Sequence, residues 1–467
     1  MAKTVKHVLV LAPGFPPESG VGVRRLESLV RHMTKYGWIP HVVRMDYNEQ
    51  TAENLDYSSG ADVLKYVVYK STLPKIVLVK KLKSFISILP ERVRGDKVVG
   101  FFRWFLEMFL IAKSLFRHLR FRSTNTKNFN PNLSIKQLQF IEEGRQFVEK
   151  YLEKQPIDLI LSSSPNLEGH ILAVKIKNKF GIKWVADCRE NLEYTQPRLA
   201  SFQNQLLAKA DAISAIANGM ARDISRSINR KVEVIENGYE TLVTESSSPN
   251  PLIAESSRFN LVYTGTFAGY YRSNLIDTDL MMQAISELID SDQQYYRDIR
   301  ILIYGQVAHA ITPVILEIYK KYPNLTDRIV PSGSVEYVKA RRIQQEANML
   351  ILFAFKRSKG NDPAKVYEYL SSLNPILCIP SEDPDLKSLL TEANSGYVGD
   401  DIEEAKQFIH RHYENWVNGG VPIRSTSKEF IKRFTREALT ERYVEFMNQV
   451  VDGTYETVDK NPLPRSK

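Results

Sequence analysis

Short apolar runs alternate with amphipathic segments along most of the chain. The first run, HVLVLAP at 7–13, is continuous and rich in Val and Leu, which is typical of a parallel strand buried on both faces. A loop rich in Gly and Pro, GFPPESGVGVRR at 14–25, separates it from a segment whose apolar residues repeat at helical spacing. A second strand, PHVVRMD, ends at Asp46. This strand–helix–strand opening predicts a doubly wound α/β domain.

The same alternation resumes after residue 130. The pattern predicts helices at 134–154 and 167–180, and strands at 158–164, 183–190, 212–216 and 232–238. Residues 241–258, TLVTESSSPNPLIAESSR, are rich in Ser and Pro and have no apolar period. That composition predicts a linker between two domains.

A second series of strands and helices begins after the linker. The predicted strands are 260–267, 298–305, 348–355 and 375–381. Helices are predicted at 274–290, 311–322, 363–373, 386–396 with Gly396 at its end, and 427–451. A length of 467 residues suits two such domains. We therefore predict an N-terminal domain at 1–240, a linker at 241–258, a C-terminal domain at 259–425, and at 426–467 a tail with a helix that crosses back to the first domain.

The composition is that of an ordinary globular protein, with 43% hydrophobic and 25% charged residues. It excludes a mainly disordered, collagen-like or coiled-coil chain. Two cysteines, Cys188 and Cys378, cannot form a disulfide framework and suit a reducing compartment. The first residues, MAKTVKHVLVLAP, lack the layout of a signal peptide. These features predict a cytoplasmic protein.

One basic segment carries the whole net charge of +9. Residues 75–122 contain twelve Lys or Arg and three Asp or Glu, while the rest of the chain is balanced. Its run VVGFFRWFLEMFLIAKSLF could pass for a membrane span, but Arg103, Glu107 and Lys113 interrupt it. On a helix the Phe residues lie opposite the charges, which favours a segment in the interface of an anionic membrane. The alternative is that this aromatic face packs on the domain core.

A nucleic-acid partner is not predicted for the basic segment. Its aromatic residues form one apolar face, whereas a stacking platform for bases interleaves aromatic and basic side chains. The expected partner of 75–122 is therefore an anionic membrane surface, at the inner face of the plasma membrane.

Gly20 and Gly22 lie in the loop between the first strand and the first helix. Glycines there let the backbone approach a ligand, and a helix N-terminus favours an anion. Arg24 and Arg25 add positive charge in a first turn, where the helix dipole disfavours it unless a phosphate is near. The alternative is a tight turn without a ligand, because the pattern is neither a dinucleotide fingerprint nor a P-loop.

Polar residues also follow two later strands. The segment SSSPNLEGH at 162–170 ends with His170, and ADCREN at 186–191 contains Asp187, Arg189 and Glu190. The carboxyl ends of parallel strands face the crevice where ligands bind in doubly wound folds. The alternatives are a packed or solvated histidine and an Asp–Arg pair that fixes the loop.

The segment FKRSKGNDPAKVYEYL at 355–370 gathers basic residues at a helix start. Arg357 and Lys365 are among them, and Asp362 can cap the helix with a proline behind it. Such a start can hold a diphosphate, and the carboxylate of Glu368, three residues after Lys365, can accept bonds from ribose hydroxyls. The alternative is a surface Lys–Glu pair. No cluster has the spacing of a zinc or calcium site, so no metal is predicted.

Together these segments resemble a GT-B glycosyltransferase of the large retaining group called family 4, over nearly the whole chain except 50–130. FPPESGVGVRR resembles the family's PPxxGG-like loop, and PAKVYEYLSSLNPIL resembles its (P/S)xKxxEYLaxGxPIL segment. SSSPNLEGH with KWVADCREN, IENGYE and LVYTGTF resemble further family segments. Three positions depart from the pattern: Glu190 replaces an Asp, Gly360 replaces a frequent Glu, and Asn374 replaces a Gly or Lys.

The resemblance implies two Rossmann-like doubly wound domains that face each other across a cleft. It implies a nucleotide sugar of UDP or GDP type, no cofactor and no metal, and transfer with retention. The implied catalytic residues are His170, Lys365 and Glu368. The implied donor site consists of Gly20, Gly22, Gly265, Thr266, Arg357, Lys365 and Glu368. Arg24, Asp187, Arg189 and Glu190 are expected near the acceptor or in the cleft.

The basic segment suggests a lipid-linked or growing surface-polysaccharide acceptor, reached from the inner membrane face. Three alternatives stay open. One is a soluble transferase that acts on a small acceptor, and another is a non-catalytic GT-B scaffold or binding protein, which the glycine at 360 keeps open. A sugar-nucleotide epimerase on the same fold is the third.

Overall fold

The structure is a computed structural model that describes most of the chain. The described residues are 5–15, 21–46, 65–70, 133–164, 167–190, 192, 196–241, 257–265, 278–305, 311–353, 365–381, 383–420 and 423–457. The basic segment 75–122 and most of the predicted linker lie outside these ranges. By their contacts the residues fall into two compact units. The first is Met1–Ser19, Gly37–Ala186 and Gln196–Ala210, and the second is Gly20–Tyr36, Asp187–Thr195 and Asp211–Lys467.

Seven strands form the first sheet, in the order β3-β2-β1-β4-β5-β6-β7. They are β1 Lys6–Leu11, β2 Trp38–Asp46, β3 Lys65–Lys70, β4 Leu159–Ser163, β5 Lys183–Cys188, β6 Ala212–Ala215 and β7 Glu233–Val234. The helices along this part of the chain are α1 Val21–Met33, α2 Ile135–Leu152, α3 Leu167–Phe180, α4 Pro197–Leu207 and α5 Asn218–Ile228. β1 pairs in parallel with both β2 and β4, so the strand order reverses beside it. This reversal is the switch point of a doubly wound sheet.

Six strands form the second sheet, in the order β10-β9-β8-β11-β12-β13, and every pair is parallel. They are β8 Phe259–Thr264, β9 Ile299–Tyr304, β10 Ile329–Gly333, β11 Met349–Leu352, β12 Ile376–Cys378 and β13 Gly396–Val398. The helices are α6 Asp279–Ser291, α7 Ile311–Lys321, α8 Tyr337–Glu346, α9 Lys365–Ser372, α10 Pro384–Glu392, α11 Ile402–Val417, α12 Lys428–Lys432 and α13 Arg436–Asp452. The two parallel sheets with flanking helices confirm the predicted fold class.

Burial explains why continuous apolar runs became the central strands. Val8, Leu9, Val10 and Leu11 of β1 all have 0% exposed surface. Every residue of β8 is buried as well. A strand covered on both faces has no polar side to alternate with, so its sequence is apolar throughout.

The C-terminal part of the chain departs from the predicted helices in two places. The helix predicted at 427–451 is two helices, because Thr435 Oγ1 caps α13 by accepting from the Ala438 amide at 3.3 Å. The residues between the two helices pair with the chain near Tyr239, whose amide donates to the Phe434 carbonyl at 3.0 Å. Gly396 does not end a helix. α10 stops at Glu392, the chain turns at Asn394 with φ 50°, and Gly396 begins β13.

Six of these strands and helices were not predicted: β3, α4, β10, α8, β13 and α11. α8 escaped prediction because its sequence YVKARRIQQE has few apolar residues. The helix buries Arg341 and Gln344 beside Ile343. Among the described residues, no helix has the length and apolar character that crossing a membrane requires.

Candidate functional site

Lys365 is the first residue of α9 and meets the end of β8 in the second unit. Its Nζ donates a hydrogen bond to Tyr263 Oη at 2.8 Å and lies 4.0 Å from the centre of the Tyr263 ring. Burial of the ammonium group lowers the pKa of Lys365, while the nearby Tyr369 and Glu368 act in the opposite direction. The lysine side chain is therefore held at the carboxyl end of a central strand.

Gly265 follows β8 and must be a glycine. Its φ of 139° is one that other residues rarely adopt, and a Cβ there would lie 2.1 Å from Lys365 Nζ. The family resemblance implies that Gly265 and Lys365 belong to one donor site, and the two residues are neighbours in the structure.

Glu368 lies on the next turn of α9, beside the same strand end. Gln344 Nε2 donates to Thr264 Oγ1 at 2.8 Å and lies 3.5 Å from Glu368 Oε2. The Thr264 amide donates to Tyr369 Oη at 2.9 Å. These bonds connect β8, α8 and α9 into one hydrogen-bonded frame. The frame holds the Glu368 carboxylate near Lys365.

Arg341 anchors this frame and is not among the site residues predicted from the sequence. The residue is 1% exposed, and its guanidinium donates to the Glu368 carbonyl at 2.6 Å. It also donates to the side chains of Gln344 and Ser371. An arginine in a polar segment indicates solvent exposure, so only the packing of α8 on α9 reveals this role.

Arg24 lies on α1 and stacks on Tyr337, the first residue of α8. Its guanidinium carbon is 4.0 Å from the centre of the Tyr337 ring, which is within range of a cation–π interaction. Arg436 Nη1 approaches the Arg24 carbonyl at 3.4 Å. Burial, followed by the charge of Glu368, raises the pKa of Tyr337. The predicted acceptor residue Arg24 thus neighbours the α8 and α9 frame within the second unit.

Gly22 lies against the guanidinium of Arg189. A Cβ at Gly22 would fall 1.6 Å from Arg189 Nη1, so no larger residue fits while Arg189 keeps this position. Burial lowers the pKa of Arg189, and Asp187 opposes that shift. The next residue, Glu190, is exposed. The structure therefore joins the glycine loop and the ADCREN segment, two motifs far apart in sequence.

Asp187 is 1% exposed and accepts hydrogen bonds from side chains of two elements, α1 and β6. Arg25 Nη1 donates to Asp187 Oδ2 at 2.7 Å, and Ser214 Oγ donates to Oδ1 at 2.9 Å. Tyr443 Oη in turn lies 2.9 Å from Ser214 Oγ. Asp187 thus forms a buried ion pair, with Arg25 as its partner.

His170 belongs to the first unit, in the first turn of α3. It is fully buried, and its Nδ1 lies 2.7 Å from Ser162 Oγ at the end of β4. Glu168 in the same turn is 5% exposed, accepts from Gln137 Nε2 at 3.0 Å, and has a pKa raised by burial. These side chains lie at the carboxyl edge of the first sheet.

Three predicted site residues lie outside the described residues: Gly20, Thr266 and Arg357. Within the residues that the structure does describe, no three His, Cys, Asp or Glu side chains are grouped so that they could hold a metal ion.

Solved structures with the same architecture cover nearly the whole chain. Sucrose-phosphate synthase from Thermosynechococcus elongatus matches with a TM-score of 0.60 at 10% identity, over 96% of this chain and 100% of that one. HepE from Anabaena, solved with UDP and glucose, matches with a TM-score of 0.59 at 11% identity, over 95% and 100%. TarM matches with a TM-score of 0.59 at 11% identity, over 96% and 99%. The chain therefore has the GT-B fold.

Sequence comparisons add nothing to this assignment. No protein-family model matches the chain, and no curated protein matches it. The similarity to the solved structures thus establishes the fold, and the chemistry has to be argued from the site.

Proposed function

We propose that this protein is a glycosyltransferase that takes its sugar from a nucleoside diphosphate sugar. The observation that carries the proposal is the grouping of Lys365, Glu368 and Gly265 at the carboxyl end of β8 and the start of α9. Ligands of doubly wound folds bind at this edge of the sheet. A lysine suits a phosphate, a carboxylate suits the hydroxyls of a ribose, and a glycine lets a ligand approach the backbone closely.

The nucleotide is proposed to be of UDP or GDP type, with UDP as the first candidate. HepE, one of the proteins that share the fold, was solved with UDP and glucose, and also with UDP-glucose. In this chain Glu368 would accept hydrogen bonds from the ribose hydroxyls, and Lys365 would lie beside the diphosphate. Arg357 and Thr266 are proposed to complete this donor site.

The chemical step that the enzyme has to accelerate is departure of the nucleoside diphosphate. Negative charge grows on the phosphate oxygens as the bond to the sugar breaks, and a fixed ammonium group stabilises that charge. As at any helix N-terminus, the N–H groups at the start of α9 point out of the helix, where they favour an anion. We propose that Lys365 and this helix start do the work without a metal or a cofactor, and that the sugar keeps its anomeric configuration.

The acceptor is proposed to be lipid-linked or a growing surface polysaccharide. Support comes from the sequence of 75–122, where the whole net charge and an aromatic helical face coincide. Such a segment would hold the enzyme at the inner face of the plasma membrane. A variant with Lys80, Lys81 and Lys83 changed to Glu should lose binding to anionic vesicles, and unchanged binding would reject this part of the proposal.

Transfer itself is tested by incubating the enzyme with radiolabelled UDP-glucose and other nucleotide sugars, with and without a membrane lipid extract. We expect label to enter the lipid or polysaccharide fraction and the nucleoside diphosphate to be released. Lys365→Ala should abolish this, while Lys339→Ala, an exposed lysine on α8, should not. Nucleotide binding without turnover would favour the scaffold alternative, and conversion of the sugar without release of nucleotide would favour an epimerase.

A further inference from the structure

Two hydrogen bonds connect three buried side chains in the first unit. Trp184 Nε1 lies 2.8 Å from Ser162 Oγ, and Ser162 Oγ lies 2.7 Å from His170 Nδ1. All three residues are 0% exposed. Trp184 belongs to β5, Ser162 to β4 and His170 to α3. Three neighbouring elements therefore fix these groups relative to one another.

The direction of both bonds follows from the chemistry of the groups. An indole N–H can only donate, so Ser162 Oγ accepts from Trp184. The hydroxyl has a single proton, and buried polar groups seldom stay unpaired. In the described part of the chain, His170 Nδ1 is the other polar side-chain atom bonded to this oxygen. The hydroxyl proton therefore points to Nδ1, and the neutral imidazole carries its own proton on Nε2.

The other states of His170 conflict with this network. A proton on Nδ1, in the second tautomer or in the imidazolium ion, would place two donors on one hydroxyl oxygen. The Ser162 proton would then lose its acceptor in a fully buried place, which costs free energy. Trp184 thus acts on His170 through Ser162. Its indole N–H donates to Ser162 Oγ, which leaves the hydroxyl proton to point to His170 Nδ1.

This network lies at the edge of the sheet where a ligand is expected. β4 ends at Ser163 and α3 begins at Leu167, beside the end of β1. The contact is tight, because a Cβ at Gly169 would lie 3.1 Å from the Leu11 carbonyl oxygen. β1 and β4 flank the reversal of strand order, and ligands of doubly wound folds bind outside the carboxyl ends of the strands there.

We infer that Ser162 and Trp184 are positioning residues that hold His170 in its neutral Nε2–H form, so that His170 serves the transfer as a hydrogen-bond donor and not as a proton acceptor. Only the second half of the inference, the role of His170 as a donor during transfer, rests on the proposed function. Sugar hydroxyls and phosphate oxygens accept hydrogen bonds, and a donor with a fixed proton suits either. A general base would need a free lone pair on Nε2, which this tautomer lacks.

The first test reads the tautomer directly in protein with ¹⁵N-labelled histidine, by NMR at neutral pH. The His170 signals are identified by their loss in His170→Gln. We expect an unprotonated Nδ1 and a protonated Nε2 in the wild type. In Ser162→Ala and Trp184→Phe the constraint is gone, so the tautomers should mix and the pKa of His170 should change. Trp38→Phe is the matched control, since Trp38 is a buried tryptophan on β2 and the change should leave the His170 signals unaltered.

A proton on Nδ1 in the wild type would overturn the inference. So would an unchanged tautomer in both Ser162→Ala and Trp184→Phe. The tautomer itself is read from the spectrum of the folded wild type, so this result does not depend on any enzymatic activity.

The second test asks whether the donor is used in catalysis. The amide nitrogen of Gln can take the position of Nε2, whereas that of Asn takes the position of Nδ1. We expect His170→Gln to keep kcat/KM within about tenfold of the wild type, and His170→Asn and His170→Ala to lose about a hundredfold. Equal large losses in all three would indicate a base and reject the donor role. If the wild type itself transfers no sugar, the proposed function fails while the tautomer result still stands.

Discussion

Lys365 Nζ lies 2.8 Å from the Tyr263 hydroxyl and 4.0 Å from the centre of the same ring. A buried ammonium group is thus held by a phenol, with the Glu368 carboxylate one helical turn away. Burial lowers the pKa of the lysine and raises that of the tyrosine, because each charged form loses solvation. The titration of this pair gives the proposed donor site a measurable pH dependence.

The stability contributed by Lys365 should increase with pH. Since its pKa is lower in the folded chain than the ordinary 10.5, the unfolded chain binds more protons in the interval between the two values. The free energy of unfolding therefore rises with pH through that interval and loses this contribution as the pH falls through the lowered pKa. Comparing the wild type with Lys365→Met by urea unfolding at several pH values should show this slope in the wild type alone. Parallel pH profiles would contradict it.

Binding of a nucleotide sugar should be accompanied by proton uptake. The diphosphate favours the charged form of Lys365, so its pKa rises on binding, and protons are taken from the buffer at pH values between the pKa of the free lysine and that of the bound lysine. Calorimetry in buffers of different ionisation enthalpy measures the number of protons. Lys365→Arg is the control, since a guanidinium stays charged throughout and should bind without uptake. Equal uptake in both proteins would place the titrating group elsewhere.

Gly265→Ala should remove nucleotide binding. The new methyl group would meet Lys365 Nζ at 2.1 Å, at a φ of 139° that strains any residue with a Cβ. The backbone strain alone should cost about 1–3 kcal/mol of folding free energy. Gly37→Ala is a matched control, because Gly37 has a φ of 84° and nothing lies within 4 Å of its missing Cβ. Both variants should be destabilised in urea unfolding, and only Gly265→Ala should lose affinity. Equal affinities would show that the lysine simply moves aside.

Asp187→Asn should destabilise the protein strongly. The substitution leaves Arg25, which is 5% exposed, without its ion-pair partner. Removing one member of a buried pair costs about 3–5 kcal/mol, because the remaining charge is buried without compensation. Urea unfolding measures the loss. A cost below about 1 kcal/mol, the range of a surface pair, would mean that water reaches Arg25 in the folded state.

Glu240 should contribute stability that disappears in acid. Burial on its own would raise the pKa of this carboxyl, but the neighbouring side chains of His32 and Ser28 and the charges of Arg436 and Arg31 lower it to about 2. The contribution is complete above the ordinary value of 4.5 and is lost as the pH falls toward 2. Glu240→Gln should therefore lower the unfolding free energy by about 3 kcal/mol at most near neutral pH, and by much less near the folded pKa. A pH-independent difference between the two proteins would contradict this.

The two sheets were predictable because their central strands are apolar on both faces. β1 and β8 are continuous buried runs, and helical periods follow them at regular distances. Short or polar elements escaped prediction for the opposite reason. β13 has three residues, and α8 buries Arg341 and Gln344, so its buried face lacks the apolar period by which a helix is recognised. The boundaries of the domains stay a prediction.

The site residues also divide into those that a local sequence pattern predicts and those that it does not. Lys365 and Glu368 were found because their spacing on one helix is a local feature of the sequence. Tyr263, Arg341 and Gln344 contact them from positions 24 to 102 residues away in the chain, and a single sequence does not reveal such neighbours. Arg25 as the partner of Asp187 belongs to the same class, since the two positions are 162 residues apart.

Binding of nucleotides and nucleotide sugars tests the central claim most directly. The wild type, Lys365→Ala, Glu368→Ala and the control Lys339→Ala are each unfolded thermally with UDP, GDP, ADP, CMP and their sugar conjugates. A ligand at about 100 times its Kd adds about 2.7 kcal/mol of stability, which shifts the midpoint visibly. We predict a shift with one class of diphosphate in the wild type and in Lys339→Ala, and its loss in the other two variants. An equal shift in all four proteins, or none with any nucleotide, would contradict a donor site at Lys365 and Glu368.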